Sequence, residues 1–467
     1  MIPQKNDEIY LSSSFRRINS KAKENRILRE KFFKVYSFFK FKNEKIKIAS
    51  GHQPYIFHPG IWAKIIFLNF FNDFEKIFIT NDSDVKDGIF IEIPFFDGKW
   101  RKIREYIYLN SEKKTFEEYD FYKFKRGILF FSERFKEIEK FIRGDVKEKI
   151  LIFIKNLNEY EDVVSSIILT RKNFEREIKY GEKIVSEICK EENFLKFFLY
   201  FFYEGEKIFD IYNKKLEEYR VIKNIKKEGE PFPFLLKYND FYEIPFWIIK
   251  DGRKRIFKNK NSLYIENEKI KELSFDFEKD IEKIRNLKIR PKALTLSIYQ
   301  RIFLSDLFVH GIGGARYDEF TEKFFEDVFN LKIPEFIFLT GTFYLFEGNP
   351  SDLSSRISEL IQKRNFLIHH PEKFLKDDPL VNEKIKLIEE IRNLKKNKRE
   401  IGERIKKINE KLKEKIEGIL KEIEREINVL MEKEEEEKVK YYREYPYFYF
   451  DYERIKKAIE KRYDNRN

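Results

Sequence analysis

Between residues 45 and 80 the sequence changes period twice, and this constrains the fold more than any other feature. KIKIAS (45–50) reads as a strand, HPGIWAKIIFLNFF (58–71) as a helix with Pro59 in its first turn, and KIFIT (76–80) as a second strand. A strand, a crossover helix and a strand close a βαβ unit, so the two strands run parallel and need cover on both faces. The same pattern returns late in the chain. RPKALTLSIYQRIFL (290–304) is a helix after its first turn, DLFVH (306–310) a buried strand, GIGGARYDEFTEKFFEDVF (311–329) a glycine loop opening a helix, and EFIFLT (335–340) a strand. Sections 45–110 and 285–345 are therefore expected to form one sheet. GIFIEIPFF (88–96) and REYIYL (104–109) read as further strands, and residues 115–225 as mostly helical, including one long stretch over 161–202. In FYEIPFWIIKDGRKRIF, Asp251-Gly252 between two apolar runs signals a hairpin.

From about 380 to 437 there is neither proline nor strand-like alternation. Apolar residues fall at Leu387, Ile391, Leu394, Ile401, Ile405, Ile408, Leu412, Ile416, Ile419, Ile423, Ile427 and Leu430, in steps of three and four, with Lys398 at the one missed position. One helix of this length would reach on the order of 85 Å. It needs a partner, either the 161–225 helices or a second subunit, and a homodimer through this coiled coil is expected. The organisation read from these patterns is a basic helical arm (1–45), the first part of a parallel-sheet core (46–114), an inserted helical and hairpin region (115–284) and the second part of the core (285–375). A coiled coil (376–440) follows, then an aromatic tail (441–467) too apolar to be left free.

Composition removes several classes. With 51 Phe, 26 Tyr and 42% apolar residues the chain is too aromatic to be disordered, although 38% of it is charged. Cys189 is alone, which excludes disulfide frameworks, thiolate zinc sites and C-x-x-C redox chemistry, and makes a reducing cytoplasm the expected location. MIPQKNDEIY has no apolar leader, and FLKFFLYFFY (194–203) is too short to cross a bilayer, so no membrane association is expected. Of the net charge of +13, residues 1–50 carry 13 − 5 = +8. Such an arm suits a nucleic-acid partner, and equally a solvated helix face.

Ligands of open parallel sheets lie beyond the carboxyl ends of the strands. Each core strand is followed there by polar or glycine-rich text: Gly51-His52-Gln53-Pro54 to His58, Asn81-Asp82-Ser83-Asp84, His310-Gly311-Ile312-Gly313-Gly314, and Gly341-Thr342. All four loops are expected to face one crevice. Gly311, Gly313 and Gly314 between a strand and a helix suit an anion held by backbone N–H groups, with His310 and Arg316 beside them, or else a tight turn. His52 and His58, with Gln53 between and Lys64 behind, can neutralise a phosphoryl or acyl intermediate or act as acid and base. Asp82 and Asp84 can hold Mg²⁺ or a substrate amine, or cap the following turn. No spacing announces a zinc site.

This order of elements resembles the cysteine-adding enzymes of bacillithiol biosynthesis. The likeness lies in a strand followed by G-H-Q-P, a D-x-D strand end, a helix carrying Gln300 and Leu304, the loop Gly311–Gly314 with Ala315-Arg316-Tyr317, and a terminal heptad region. That family shows T-G-Q-Q-A-G where this chain has S-G-H-Q-P, and Arg290-Pro291 stands displaced toward the N-terminus. The resemblance implies an α/β fold with a Rossmann-like (HUP-type) core, an inserted connecting domain and a dimerising coiled coil. It implies a ligase or transferase joining an amino acid or small acid to an amine of a sugar-derived acceptor, with ATP or ADP and Mg²⁺ as the cofactor expectation. His52, Gln53, His58, Asp82 and Asp84 would then be catalytic, and Lys64, His310, Gly311, Gly313, Gly314 and Arg316 would bind the nucleotide. HQPYIFHPGIWAK with Gly98-Lys99-Trp100 is also similar to WbqC-like sugar-associated proteins, as far as residue 110. The alternative function is a basic coiled-coil nucleic-acid-binding protein with a non-catalytic core.

Overall fold

A computed structural model describes residues 2–42, 44–175, 177–225, 233–393 and 398–464. Its main sheet has the spatial order Glu8–Leu11, Phe336–Thr342, Leu307–His310, Lys47–His52, Glu75–Thr80, Gly181–Ile184. The last five strands are parallel, and Glu8–Leu11 lies antiparallel at the edge. Numbered along the chain, the parallel strands stand in the order 3-2-1-4-5, so sections 45–110 and 285–345 do share one sheet. The order reverses between Lys47–His52 and Leu307–His310, which opens a crevice at their carboxyl ends.

Three readings of the middle region change. The strands at 88–96 and 104–109 pair with each other, as Gly88–Phe96 and Trp100–Leu109, and do not enter the main sheet. The single helix read over 161–202 is broken into Val163–Phe174, Val185–Ile188 and Glu192–Tyr203, and Gly181–Ile184 joins the sheet beside Glu75–Thr80. Four residues are too few to show a period, and the pairing is imposed by the neighbouring strand. Residues 237–272 build more than a hairpin. Glu268–Glu272, Ser262–Ile265, Arg253–Asn259, Phe241–Ile249 and Ile289–Pro291 form an antiparallel sheet in that order. The Asp251-Gly252 turn is as expected, with both residues left-handed at φ 56° and 85°, the geometry that matches strand twist. Pro291, which has no N–H to donate, sits on the edge strand. The helix then starts at Ala293.

The basic arm is built into the body. In the helix Phe15–Val35, Arg26 and Arg29 turn inward and hold the fully buried Asp306, with Arg26 Nη2 2.8 Å from Oδ2 and Arg29 Nη1 on Oδ1. The backbone N–H of Lys47 donates to the same carboxylate at 2.7 Å. The tail folds back as expected: Tyr447 N–H donates to Phe57 O at 2.8 Å, and Phe448 stacks on Phe153 at 4.3 Å. Among the described residues no helix is long and apolar enough to cross a membrane.

A second compact unit comprises residues 96–101 and 348–442. The single rod read over 380–437 is instead three helices, Pro379–Asn393, Lys398–Lys415 and Glu417–Lys440, and Leu394 lies outside the described residues. Their partners are in the same unit. Leu353–His369 runs antiparallel to Glu417–Lys440, with Ser351 N–H donating to Glu437 at 2.7 Å and Arg364 3.1 Å from Glu424. Pro379–Asn393 runs antiparallel to Lys398–Lys415, with Lys415 2.5 Å from Asp378 and Arg404 3.5 Å from Glu383. Ile416, Ile423 and Ile427 pack on Ile357, Leu360 and Leu367, whereas Ile401, Ile408 and Leu412 pack on Val381 and Leu387. The described heptad positions thus find apolar partners within this unit. Periodicity fixes which face is apolar but not where a chain turns back on itself.

Asp306→Ala is expected to destabilise the protein by about 3–5 kcal/mol, because Arg26 and Arg29 would be left buried without a counter-charge. Urea denaturation of the two proteins measures this, and a loss below about 1 kcal/mol, the size of a surface pair, would refute the clamp.

Candidate functional site

A cavity of about 360 Å³ opens at the reversal of strand order. The parallel sheet contributes Gln53 from the first loop, Asn81 and Asp84 from the second, and His310 and Gly314 from the third. The opposite wall carries Trp247 and Arg253 of the antiparallel sheet, with Lys292, Ser297 and Gln300 from the segment that follows. The expected fourth loop is absent from the lining. Gly341 and Thr342 remain in strand, paired with Ile9 and Glu8, and the Gly341 carbonyl accepts from Arg443 at 2.8 Å.

One polar group joins the two sheets. Gln53 Nε2 donates to Asp84 Oδ2 at 2.6 Å, and Arg253 Nη2 donates to Asp84 Oδ1 at 2.7 Å and to Ser83 O at 2.7 Å. Asp84 Oδ1 also accepts from its neighbour Val85 N–H at 2.9 Å, the local turn contact that the sequence allowed. Lys292 pairs with the buried Glu243 and lies 4.2 Å from the centre of the Trp247 ring. Burial lowers the pKa of Lys292 and Glu243 raises it, with a net lowering. The wall of this sheet is thus cationic and aromatic, which suits an anionic or π-faced ligand.

The glycine loop holds no left-handed residue: Gly311, Gly313 and Gly314 are absent from the positive-φ positions. Gly311 is the N-cap of the helix Ile312–Phe329 and the other two lie in its first turn. Their value is close approach. A Cβ on Gly314 would stand 2.6 Å from Nδ1 of His310, whereas one on Gly313 would meet open space. In this first turn Gly314 lines the cavity, whereas the expected Gly311 and Gly313 do not. Arg316 is exposed and does not line the cavity; only its carbonyl is used, accepting from Tyr219 Oη at 2.8 Å.

Several expected site residues stand outside the cavity. His58 is a helix cap: Nδ1 accepts from Gly60 N–H at 3.1 Å, and burial, Arg443 and Lys64 push its pKa down to about 3. His52 packs its ring 5.0 Å from Tyr55 and 5.7 Å from Phe57, and burial holds it well below its ordinary pKa, so it is neutral. Asp82 accepts from Ser186 N–H at 2.9 Å and caps the helix after the edge strand; burial raises its pKa to about 6. Lys64 lies beneath the loops, 3% exposed, donating to Gly51 O at 2.8 Å, and burial lowers its pKa to about 7. Its Nζ would be 3.9 Å from a Cβ at Gly311. No carboxylate pairs with it among the described residues, so near neutral pH this amine is poised between its charged and neutral forms. Burial pushes the Cys189 thiol up, which makes it unreactive.

Sequence reasoning missed Asp318, Arg253, Lys292 and Trp247. Asp318 was within reach, eight residues after His310 on the expected helix. The other three depend on how a second sheet folds over the first. Among the described residues no group of three His, Cys, Asp or Glu side chains is gathered to hold a metal ion. The donors present fit an anion better than Mg²⁺, since Asp84 is held by Arg253 and Asp318 by Arg301. No family model and no curated protein matches this chain.

The unfolded chain binds a proton at the His58 imidazole near pH 6.5, whereas the folded protein resists protonation until about pH 3. The unfolded state therefore binds more protons between these values. Stability from this site is complete above pH 6.5 and falls as pH drops toward 3, by at most about 1.4 kcal/mol per pH unit. His58→Asn retains a capping side chain and is expected to flatten that slope in urea titrations at pH 7, 5 and 4. An unchanged slope would remove His58 as the cause.

Proposed function

We propose that the chain is a ligase or transferase that joins an amino acid or similar small acid to an amine of a sugar-derived acceptor, on a Rossmann-like core. The observation that carries this reading is the convergence of Gln53, Asp84, Arg253, Lys292 and His310 on one cavity at the reversal of strand order. A phosphate-bearing ligand suits the N-terminus of the helix Ile312–Phe329, with Lys64 beneath it. Trp247 and Lys292 offer a flat cationic wall to the rest of such a ligand. Asp84, fixed by Gln53 and Arg253, presents acceptor oxygens toward an amine or sugar hydroxyl. Positioning and preorganised charge are the means by which this site would accelerate acyl transfer.

The competing reading is a nucleic-acid-binding protein. Arg16, Arg17, Lys23, Lys31 and Lys34 are exposed on the first helix and favour it, although Arg26 and Arg29 are taken up by Asp306.

A thermal-shift screen with ATP, ADP, cysteine, other amino acids and glucosaminyl-malate, each with and without Mg²⁺, is expected to give a saturable shift with a nucleotide or with the sugar amine. Lys64→Met is expected to weaken nucleotide binding by about threefold, the longer-range electrostatic effect of an amine that lies beneath the loop and does not line the cavity, while leaving the fold intact. Absence of any shift, together with RNA binding that weakens steeply between two salt concentrations, would transfer the conclusion to the competing reading.

A further inference from the structure

The strand Leu307–His310 ends in an imidazole whose surroundings are those of a proton acceptor. His310 Nε2 is 2.6 Å from Asp318 Oδ2, although its angle departs from that of a straight hydrogen bond. Asp318 is 2% exposed and held from other sides as well: Ser297 Oγ donates to Oδ1 at 2.6 Å and Arg301 Nη1 to Oδ2 at 3.2 Å. Burial by itself would raise the pKa of Asp318, but His310, Arg301 and Ser297 outweigh it and keep the group well below the usual carboxylate range. The imidazole is wedged between Phe308, 4.5 Å away, and Phe336, 5.1 Å away and perpendicular to it. Its remaining nitrogen, Nδ1, faces Gly314, where any side chain would collide with it. His310, Gly314, Asp318 and Ser297 all line the cavity.

We infer that His310 is the general base of this site and that Asp318 is its positioning residue, with Ser297 and Arg301 fixing Asp318. This assignment rests on the acyl-transfer reading above. An ionised carboxylate beside Nε2 favours the tautomer with the proton on Nε2, which leaves Nδ1, on the Gly314 side of the ring, as the unprotonated nitrogen. Gly314 is glycine because the backbone must pass this nitrogen closely. In the step concerned, the nitrogen of the acceptor amine attacks the carbonyl carbon of an acid activated as an anhydride with phosphate. The N–C bond forms, the C–O bond to phosphate breaks with its electron pair leaving on the phosphate oxygen, and Nδ1 of His310 takes the proton lost by nitrogen. The imidazolium, stabilised by Asp318, then returns that proton to water.

Two measurements on the full-length protein test the assignment. Diethyl pyrocarbonate acylates an accessible unprotonated imidazole nitrogen, and peptide mapping reads each of the five histidines separately. His310 is expected to react in the folded protein. Asp318→Asn is expected to slow that reaction about tenfold or more by favouring the other tautomer, and Asp318→Glu to restore part of it, with His370 unaffected in both. A His310 that stays unmodified while His370 reacts would overturn the assignment, and so would a rate unchanged in Asp318→Asn. The second measurement is turnover of whichever substrates the thermal-shift screen identifies. His310→Gln, checked for folding by thermal unfolding, is expected to lose roughly 10²–10⁴-fold in kcat, the usual share of a general base. Turnover unaffected by His310→Gln would remove the base and leave the ligase reading standing. The acylation pattern without any turnover would remove that reading and leave the oriented imidazole in place.

Discussion

Asp306 joins the two halves of the chain, and the site depends on that junction. Its backbone N–H donates to Lys47 O at 2.8 Å while its carboxylate accepts from Lys47 N–H, so the starts of Lys47–His52 and Leu307–His310 are fixed side by side. Arg26 and Arg29 neutralise the buried charge from the first helix, and Arg29 Nε also holds Ile302 O at 2.6 Å. Register set at this end of the two strands is transmitted to the other: Val309 stands against Ser50, with the Ser50 hydroxyl on Val309 O at 2.8 Å, and one residue further on His310 ends its strand. Gln53 and His310 therefore meet the same cavity although they come from opposite halves of the sequence.

Charge is distributed around this cavity in two ways. Asp84 and Asp318 are each paired with a guanidinium, so their carboxylates are held in place in a partly dehydrated setting. Lys64 has only a backbone carbonyl, and burial brings its pKa down to about 7. An amine buried without a counter-ion avoids the cost of its charge by giving up its proton, and an anion arriving nearby would favour the charged form. Retaining it beneath the first turn of the helix Ile312–Phe329 is understandable if ligand binding supplies the missing charge.

Much of this was legible in the sequence, and the remainder was not for physical reasons. The βαβ unit, the late strand-helix-strand section and the Asp251-Gly252 hairpin each carry local signals, and periodicity and turn chemistry suffice to place them. Gln53, Asp84, His310 and Gly314 line one cavity, as their positions after the carboxyl ends of parallel strands led one to expect. His52 and His58 misled because residue type does not say whether an imidazole faces a cavity or a helix N–H. Gly341-Thr342 misled because strand pairing with Glu8–Leu11 extends beyond the apolar run. Gly181–Ile184 gives no period over four residues, and the antiparallel wall with Trp247, Arg253 and Lys292 reaches the site only through tertiary folding. The heptad pattern over 380–437 correctly marked apolar faces, but the partner was a neighbouring helix of the same unit.

If the cavity at the reversal of strand order holds the ligand, a probe on its wall will report binding and probes elsewhere will not. Fluorine NMR of protein labelled with 5-fluorotryptophan tests it directly, because the three tryptophans sit in distinct places: Trp247 on the cavity wall, Trp62 buried, and Trp100 in the second unit. Titration with ADP and then with glucosaminyl-malate should move the Trp247 resonance saturably and leave those of Trp62 and Trp100 in place. A Trp247 signal that stays fixed while either ligand binds, or while only Trp100 responds, would contradict the account.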